Sequence, residues 1–187
     1  MKVVTLDYNK LEELCRQLCG QISESGYRPD LFLGIRSGGA EVGRIMYNYA
    51  PEGCHYLECT TQRQGTGRKK RLMKSIIGKL PGFILNCLRI LEAKLTFSYK
   101  RRSKIEFVTL PGNISQYKRI LVIDDAVDSG ATLRAVYDAI HRRASSAEIK
   151  STAITVTEKH PVVMPDFFIY HNSTLLRFPW SMDAKKI

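Results

Sequence analysis

The apolar and polar positions of the chain fall into blocks that predict strands followed by helices. The clearest block begins with Ile120 to Ile123, a continuous apolar run typical of a strand buried on both faces, which Asp124 and Asp125 end. Small and hydroxylated residues follow these acids. Apolar residues then recur at the spacing of one helix face, at Leu133, Val136, Tyr137 and Ile140. The block predicts a strand, an acidic tip, a tight loop and a helix.

The same succession occurs earlier in the chain. A buried strand is predicted in "DLFLGI" from Asp30, "RSGG" forms a tight turn, and a helix follows from Ala40 to Tyr49. Further strands are predicted from His55 and from Glu148. Strands that alternate with helices predict an α/β fold with a mostly parallel twisted sheet flanked by helices. In such sheets ligands bind at the carboxyl ends of the strands, where both small-residue loops would lie.

The two ends of the chain differ in their patterns. Asn9 and Glu12 have capping-box spacing, and an apolar stripe predicts a packing helix from Lys10 to Ser23. After residue 160 the helical pattern disappears, and short extended segments are expected to cover the site. We expect residues 1–187 to form a single domain, with an insertion at about 63–102 and a C-terminal hood at about 160–187.

Composition narrows the class of protein and its partners. The chain has 29 Lys and Arg against 18 Asp and Glu, and its formal charge of +11 favours anionic partners. It has neither zinc-finger spacing nor an RNA-binding aromatic signature, so no specific nucleic acid partner is expected. The absence of a spanning apolar window and of a signal-peptide pattern favours a cytoplasmic protein. The five cysteines are odd in number and form no CxxC pair, which predicts free thiols.

The insertion has a character of its own. Basic stretches flank an apolar stretch, and Phe83 to Leu95 can form a helix with one apolar face. One interpretation is that this face packs on its own domain or on a second subunit, and we expect a homo-oligomer. The alternative is peripheral contact with an anionic membrane, because basic residues surround the apolar face.

The acidic tip indicates the chemistry. Asp124, Asp125 and Asp128 lie beside a loop that opens a helix, and a helix N-terminus suits a phosphate. Phosphoribosyl pyrophosphate (PRPP) fits this set, since it has a phosphate at one end, hydroxyls near its middle and a metal-bound leaving group. The adjacent acids would accept hydrogen bonds from the ribose hydroxyls and favour positive charge at the anomeric carbon. The loop expected to hold the 5-phosphate contains Asp128, Ser129, Gly130, Ala131 and Thr132.

Other interpretations of these loops have less support. No GxGxxG follows the first strand and no GxxxxGK[ST] occurs, so dinucleotide and P-loop sites lose their main signal. The structural alternative for Asp124 and Asp125 is a pair of solvated charges at a strand end.

The stretch "VIDDAVDSGAT" resembles the signature of type I phosphoribosyltransferases, and the order of parts is similar to the bacterial xanthine–guanine enzymes of the 6-oxopurine branch. The resemblance implies the type I phosphoribosyltransferase fold with a small C-terminal hood. It implies that Asp128 is the general base near the purine N7 and that the Arg36–Ser37 peptide bond is cis. The pyrophosphate-binding residues that it implies are Gly34, Ile35, Arg36, Ser37, Gly38 and Gly39.

The base-binding side follows the family less closely. The resemblance implies that Lys159 recognises the purine 6-oxo group, although a lysine at a strand end is often only solvated. The family's stacking and backbone-pairing positions fall on Leu175 and Leu176, but leucine cannot stack as a ring does. Ser181 replaces a family acid, and Trp180 is expected to pack within the hood. The candidates for a closing loop are Ser98, Tyr99 and Lys100.

These features predict an enzyme that transfers a 5-phosphoribosyl group from PRPP to a ring nitrogen of a nucleobase and releases pyrophosphate. The favoured acceptor is a 6-oxopurine: hypoxanthine, xanthine or guanine. Mg²⁺ is the expected cofactor, held mainly through PRPP. Two alternatives stay open: the same transfer to a non-purine acceptor, and a non-catalytic regulator of the same fold that senses PRPP or a nucleotide.

Overall fold

The computed structural model of the chain describes residues 2–63, 105–172 and 174–181. Its strands are β1 (Lys2–Thr5), β2 (Leu31–Ile35), β3 (His55–Arg63), β4 (Ile105–Thr109), β5 (Arg119–Val127), β6 (Glu148–Val156), β7 (Phe167–His171) and β8 (Thr174–Arg177). Its α-helices are α1 (Tyr8–Glu24), α2 (Gly38–Tyr47) and α3 (Ala131–Arg143), and a 3-10 turn covers Ile114–Gln116.

The strands form one large sheet and one small sheet. The large sheet has six strands in the order β4-β3-β2-β5-β6-β7. Its strands β3, β2, β5, β6 and β7 are parallel, and β4 pairs antiparallel with β3 at one edge. β1 and β8 form a separate parallel pair, which joins the start of the chain to the hood. This arrangement confirms the predicted α/β fold with a mostly parallel sheet.

β5 lies in the middle of the large sheet and contributes to apolar layers on both of its faces. Ile120 and Val122 pack in the layer beneath α3, whereas Leu121 and Ile123 pack with α1 and α2 on the other face. All of these side chains are fully buried. Because side chains alternate between the faces of a strand, a strand with helices on both faces is apolar at every position. This explains the continuous apolar run in the sequence.

The start of α1 differs from the predicted one. The helix spans Tyr8–Glu24 rather than Lys10 to Ser23. The Asp7 carboxylate accepts a hydrogen bond from the Lys10 amide at 2.8 Å, so Asp7 is the N-cap and the predicted cap at Asn9 is wrong. Both residue types suit this position, and a cap at Asp7 gives the helix two further residues at its N-terminal end.

α2 also begins and ends two residues earlier than predicted. It spans Gly38–Tyr47 rather than Ala40 to Tyr49, so the glycines that were predicted to form the turn lie inside the helix. They are buried against β5, and their lack of a side chain allows the first turn of α2 to contact that strand.

β5 continues beyond its predicted end. Its pairing with β6 runs from Arg119 through Asp124 to Val127, so Asp124 and Asp125, the acid pair, lie within the strand. Both acids are half-buried rather than solvated. The backbone partners offered by β6 keep the strand extended although the side chains become polar.

Several predictions lie outside the described residues. They concern nearly all of the insertion at about 63–102, including the helix from Phe83 to Leu95 and the loop candidates Ser98, Tyr99 and Lys100.

β7 and β8 confirm the short extended segments that were predicted after residue 160.

The described cysteines are free, as predicted, namely Cys15, Cys19, Cys54 and Cys59. Burial raises the pKa of the Cys15 and Cys59 thiols to about 12. No helix within the described ranges is long and apolar enough to cross a membrane.

The contact between α2 and β5 predicts a large difference between two glycine substitutions. A Cβ atom on Gly39 would lie 2.7 Å from the Asp124 Cα atom, whereas one on Gly20, inside α1, would have nothing within 4 Å. Gly39→Ala should therefore lower the free energy of unfolding by about 1–3 kcal/mol. Gly20→Ala should raise it by about 0.5–1 kcal/mol, since alanine favours helix. Urea denaturation measures both, and equal effects would contradict the close contact.

Candidate active site

Two loops meet at the carboxyl edge of the parallel sheet. The glycine loop, residues 34–39, comprises the end of β2, the turn at Arg36 and Ser37 and the first two residues of α2. The acidic loop, residues 128–132, follows β5 and includes the first two residues of α3. β2 and β5 are neighbours, with Gly34 paired to Ile123, so the two loops leave adjacent strands at the same edge. α/β sheets bind their ligands at this edge.

The glycine loop packs directly on the acid pair. A Cβ atom on Gly38 would overlap the Asp125 carboxylate, and one on Gly39 would lie against the backbone of Asp124. No other residue type fits at Gly38 without displacing that carboxylate. The structure therefore brings the predicted acids and the predicted glycines into contact.

Arg36 and Ser37 form the exposed tip of the glycine loop, whereas Gly34 and Ile35 are buried at its base. The peptide bond between Arg36 and Ser37 is cis, as predicted. The Arg36 Nε atom donates a hydrogen bond to Glu58 Oε2 at 2.5 Å. This bond is the main cause of the lowered pKa of the Glu58 carboxyl. Glu58 was not among the predicted site residues. Its charge inside β3, the neighbour of β2, was the feature of the sequence that could have indicated a role at the site.

The acid pair lies in an environment that disfavours its charge. Burial raises the pKa of Asp124 well above its ordinary value, and the charge of Asp125 raises it further. Burial also raises the pKa of Asp125, while hydrogen bonds from Asp124 and Trp180 oppose the shift. The Asp125 amide donates to Asp124 Oδ1 at 3.0 Å, and the Trp180 indole Nε1 donates to Asp125 Oδ2 at 3.3 Å. These carboxylates are suited to accept hydrogen bonds from ligand hydroxyls.

The acidic loop has the shape of an anion site at a helix N-terminus. Gly130 adopts a φ of 75° at the N-cap of α3, a conformation that favours glycine. A Cβ atom there would also lie 2.6 Å from the Val163 amide nitrogen. Ser129 is buried, and its carbonyl oxygen accepts a hydrogen bond from the Val162 amide at 2.9 Å. The loop is thus fixed beneath the segment that follows β6, with the first turn of α3, starting at Ala131 and Thr132, directed towards it.

Asp128 opens the acidic loop and is held by a residue that the sequence pattern had not marked. The Thr157 hydroxyl donates to Asp128 Oδ1 at 2.6 Å, and the Thr157 amide donates to the Val127 carbonyl oxygen at 2.9 Å. Thr157 directly follows β6, the neighbour of β5, so the pairing of those strands was a signal for this contact. Lys159 lies two residues further on and is exposed.

The hood reaches the acid pair through a residue that was expected only to pack. Trp180 stacks on Phe178, with 5.0 Å between the ring centroids, and its indole contacts Asp125. Leu175 and Leu176 are buried in β8, with 7% and 5% of their surfaces exposed. These two residues lie in the hood strand β8, and Trp180 links the hood to the edge of the large sheet.

Comparisons with known proteins agree with this geometry. A family model described as a phosphoribosyl transferase domain matches residues 6–185. A purine phosphoribosyltransferase from Pyrococcus horikoshii has 17% identity and a TM-score of 0.65, covering 97% of this chain and 95% of its own. The xanthine-guanine-hypoxanthine phosphoribosyltransferase of Helicobacter pylori has 16% identity and a TM-score of 0.64, covering 98% and 96%.

A third solved structure, a hypothetical protein from Neisseria gonorrhoeae with bound ppGpp, has 14% identity and a TM-score of 0.62, covering 99% of this chain and 93% of its own. The comparison with curated proteins gives no match. The structural likenesses show a shared fold, and the family model spans nearly the whole chain. The chain therefore belongs to the phosphoribosyltransferase family, and it is a phosphoribosyltransferase with the type I fold.

Proposed function

We propose that the protein transfers the 5-phosphoribosyl group of PRPP to a ring nitrogen of a 6-oxopurine. The observation that carries the proposal is the contact between the acid pair and the glycine loop, with the acidic loop at the end of the same strand. A ligand that spans these features needs two anionic groups with hydroxyls between them. PRPP has this order of groups.

Each part of PRPP has a matching part of the site. The acidic loop, residues 128–132, binds the 5-phosphate through backbone amides and the Ser129 and Thr132 hydroxyls. The carboxylates of Asp124 and Asp125 accept hydrogen bonds from the ribose hydroxyls. The glycine loop, residues 34–39, binds the diphosphate, where Arg36 supplies positive charge and the glycines let backbone amides approach.

The transfer exchanges one bond at the anomeric carbon for another. The bond from this carbon to the diphosphate oxygen breaks with its electron pair on the oxygen, and positive charge develops on the ribose. In this proposal the carboxylates of the acid pair stabilise that charge. The ring nitrogen forms the new bond to the anomeric carbon and loses its proton to Asp128, whose carboxylate the Thr157 hydroxyl holds in place.

Mg²⁺ belongs to the PRPP complex in this proposal. The described residues contain no group of three or more His, Cys, Asp or Glu side chains that could hold a metal ion. The diphosphate and the ribose hydroxyls supply oxygen ligands of the kind that Mg²⁺ prefers, and the acid pair contacts the same hydroxyls. When bound, the ion neutralises charge on the departing diphosphate.

The proposed acceptor is inferred from Lys159 and from the residues of the hood that would bind the base. In this proposal the exposed Lys159, which follows β6, recognises the 6-oxo group, and the backbone of Leu176 pairs with the base. The similarity to purine phosphoribosyltransferases of two organisms supports a purine. Leu175 provides no ring for stacking, and the Ser181 hydroxyl accepts a hydrogen bond from the Phe178 amide at 3.2 Å. These two positions favour the second candidate, the same transfer to a non-purine acceptor.

The remaining sequence predictions stay predictions. They are the single-domain organisation, the cytoplasmic location, the homo-oligomer, and the contact of the insertion with an anionic membrane.

Product formation with a panel of bases tests the proposed function. The purified protein is incubated with PRPP, Mg²⁺ and one base at a time, and pyrophosphate release and nucleotide formation are measured. We expect turnover with hypoxanthine, xanthine or guanine and little with adenine. Turnover only with pyrimidines or other rings would support the second candidate, and PRPP binding without turnover on any base would support the regulator.

Replacement of the proposed base gives a sharper test of the mechanism. Asp128→Asn should lower kcat by about 10²–10³-fold, because an amide cannot accept the acceptor's proton, with a modest effect on PRPP affinity. Asp138→Asn, an exposed site on α3, is the matched control and should keep normal kcat. Steady-state kinetics with the best acceptor measures both, and near-normal kcat in Asp128→Asn would remove Asp128 from the base role.

The raised pKa of Asp124 predicts opposite changes in stability and binding. A carboxyl whose pKa is higher in the folded state than in the unfolded state destabilises the fold as pH rises from the ordinary pKa of 3.8 through the raised value. Asp124→Asn should therefore be more stable than the wild type near neutral pH, and the difference should vanish below about pH 4. Its PRPP affinity should fall by about tenfold or more, because a charged acceptor is lost. Thermal unfolding across pH and calorimetric PRPP titration measure the two effects, and a stability loss at neutral pH would contradict the assignment.

A further inference from the structure

A network of ion pairs lies beside the glycine loop. Glu58 accepts hydrogen bonds from Arg36 Nε at Oε2, 2.5 Å away, and from Arg44 Nη2 at Oε1, 2.6 Å away. Arg44 also donates to Glu41 at 2.8 Å. The Glu58 side chain is 16% exposed, whereas those of Arg36 and Arg44 are 61% and 49% exposed. Glu58 is therefore the least exposed member of the network, and the two arginines reach it from the surface.

Glu58 lies in a closely packed part of the structure, between β2, α2 and Tyr56. It lies in β3 opposite Gly34 in β2, at the base of the glycine loop. The Tyr56 hydroxyl is 3.3 Å from Glu58 Oε1 and donates to the Ala40 carbonyl oxygen at 2.8 Å. Cβ atoms on Gly34 or Gly43 would lie 2.8 and 2.9 Å from Tyr56 atoms, so this ring fills the space between β2 and α2. The carboxylate is thus built into the same packing that holds the loop.

The bond to Glu58 uses one edge of the Arg36 guanidinium. Glu58 contacts the Nε atom, and within the described ranges the two terminal nitrogens of Arg36 make no hydrogen bond or ion pair. A guanidinium that is held at Nε keeps its planar pair of terminal N–H groups for an oxyanion. An exposed arginine without such a partner would lose more rotamer freedom on binding an anion, which lowers affinity.

We propose that Glu58 is a positioning residue that holds Arg36 ready to bind the diphosphate of PRPP. The inference rests on the proposed function, since it assumes that the glycine loop binds diphosphate. Glu58 does not touch the ligand in this arrangement and acts only through Arg36. Arg44 and Tyr56 hold Glu58 in turn.

The chain offers a matched control for Glu58. Glu41 is also paired with Arg44, but it has no contact with Arg36 and is 47% exposed. Glu58→Ala and Glu41→Ala both remove one carboxylate from the same network, and only the first releases Arg36. A difference between them therefore reports on Arg36 rather than on the net charge of the surface.

The experiment is a double-mutant cycle with two ligands. Wild type, Glu58→Ala, Arg36→Ala, the double variant and Glu41→Ala are titrated with diphosphate and with ribose 5-phosphate in the presence of Mg²⁺. Ribose 5-phosphate lacks the diphosphate, and its binding also shows that each variant is folded. We expect Glu58→Ala to weaken diphosphate binding by about tenfold and to raise KM for PRPP more than it lowers kcat. In the Arg36→Ala background it should change binding by less than about twofold.

The other outcomes overturn the inference. Diphosphate binding that is unchanged or tighter in Glu58→Ala would show that the pair does not assist binding, as would an equal loss in Glu41→Ala. An equal effect of Glu58→Ala with and without Arg36 would show that Glu58 acts by another route. If the wild type forms product from PRPP while Glu58→Ala binds normally, only the inference falls. If the wild type binds neither diphosphate nor PRPP, the proposed function falls with it.

Discussion

The close contact between the first turn of α2 and the acid pair is the constraint on which the site depends. β2 and β5 are adjacent and parallel, so the loops that follow them must share one small space at the sheet edge. Gly38 and Gly39 make that space sufficient, because a side chain at either position would collide with Asp125 or with the β5 backbone. The positive end of the α2 dipole then faces the two carboxylates and offsets part of the cost of burying them.

The burial of the acid pair has a cost in stability, which a ligand of the proposed kind would offset. Burial raises the pKa of both carboxyls, which means that the fold disfavours the charged form that the proposed chemistry uses. Carboxylates that contact each other in a partly dehydrated edge gain most when a ligand brings hydroxyl donors and developing positive charge. Natural proteins accept such local costs at functional sites, and the fully buried β5 run below the acids supplies the compensating stability.

The sequence predicted the parts of the fold that depend on periodicity and the parts of the site that depend on a contiguous motif. The β5 run and the α3 stripe belong to these, and the cis bond at Arg36–Ser37 was implied by the resemblance to type I phosphoribosyltransferases. The sequence did not predict the features that depend on contacts between segments that are distant along the chain. The continuation of β5 past Asp124 depends on pairing with β6, and the cap at Asp7 was chosen over an equally suitable Asn9. The contact of Thr157 with Asp128 likewise follows from the pairing of β6 with β5, which a local sequence pattern does not reveal.

Trp180 links the two parts of the site that the proposed reaction uses, the edge of the large sheet and the hood. The groups assigned to PRPP lie on the sheet edge, whereas Leu175 and Leu176 lie in β8, which pairs with β1 in a separate sheet. β8 is nevertheless joined to the large sheet, because Leu176 packs in the same apolar cluster as Ile123 of β5 and the Thr155 hydroxyl of β6 donates a hydrogen bond to the Thr174 carbonyl oxygen. The indole bond from Trp180 to Asp125 Oδ2 adds a direct link between the hood and a carboxylate assigned to the ribose. In the proposed complex, a ribose hydroxyl that binds Asp125 Oδ2 shares this oxygen with the Trp180 indole, and this shared acceptor would link the proposed ribose site to the hood.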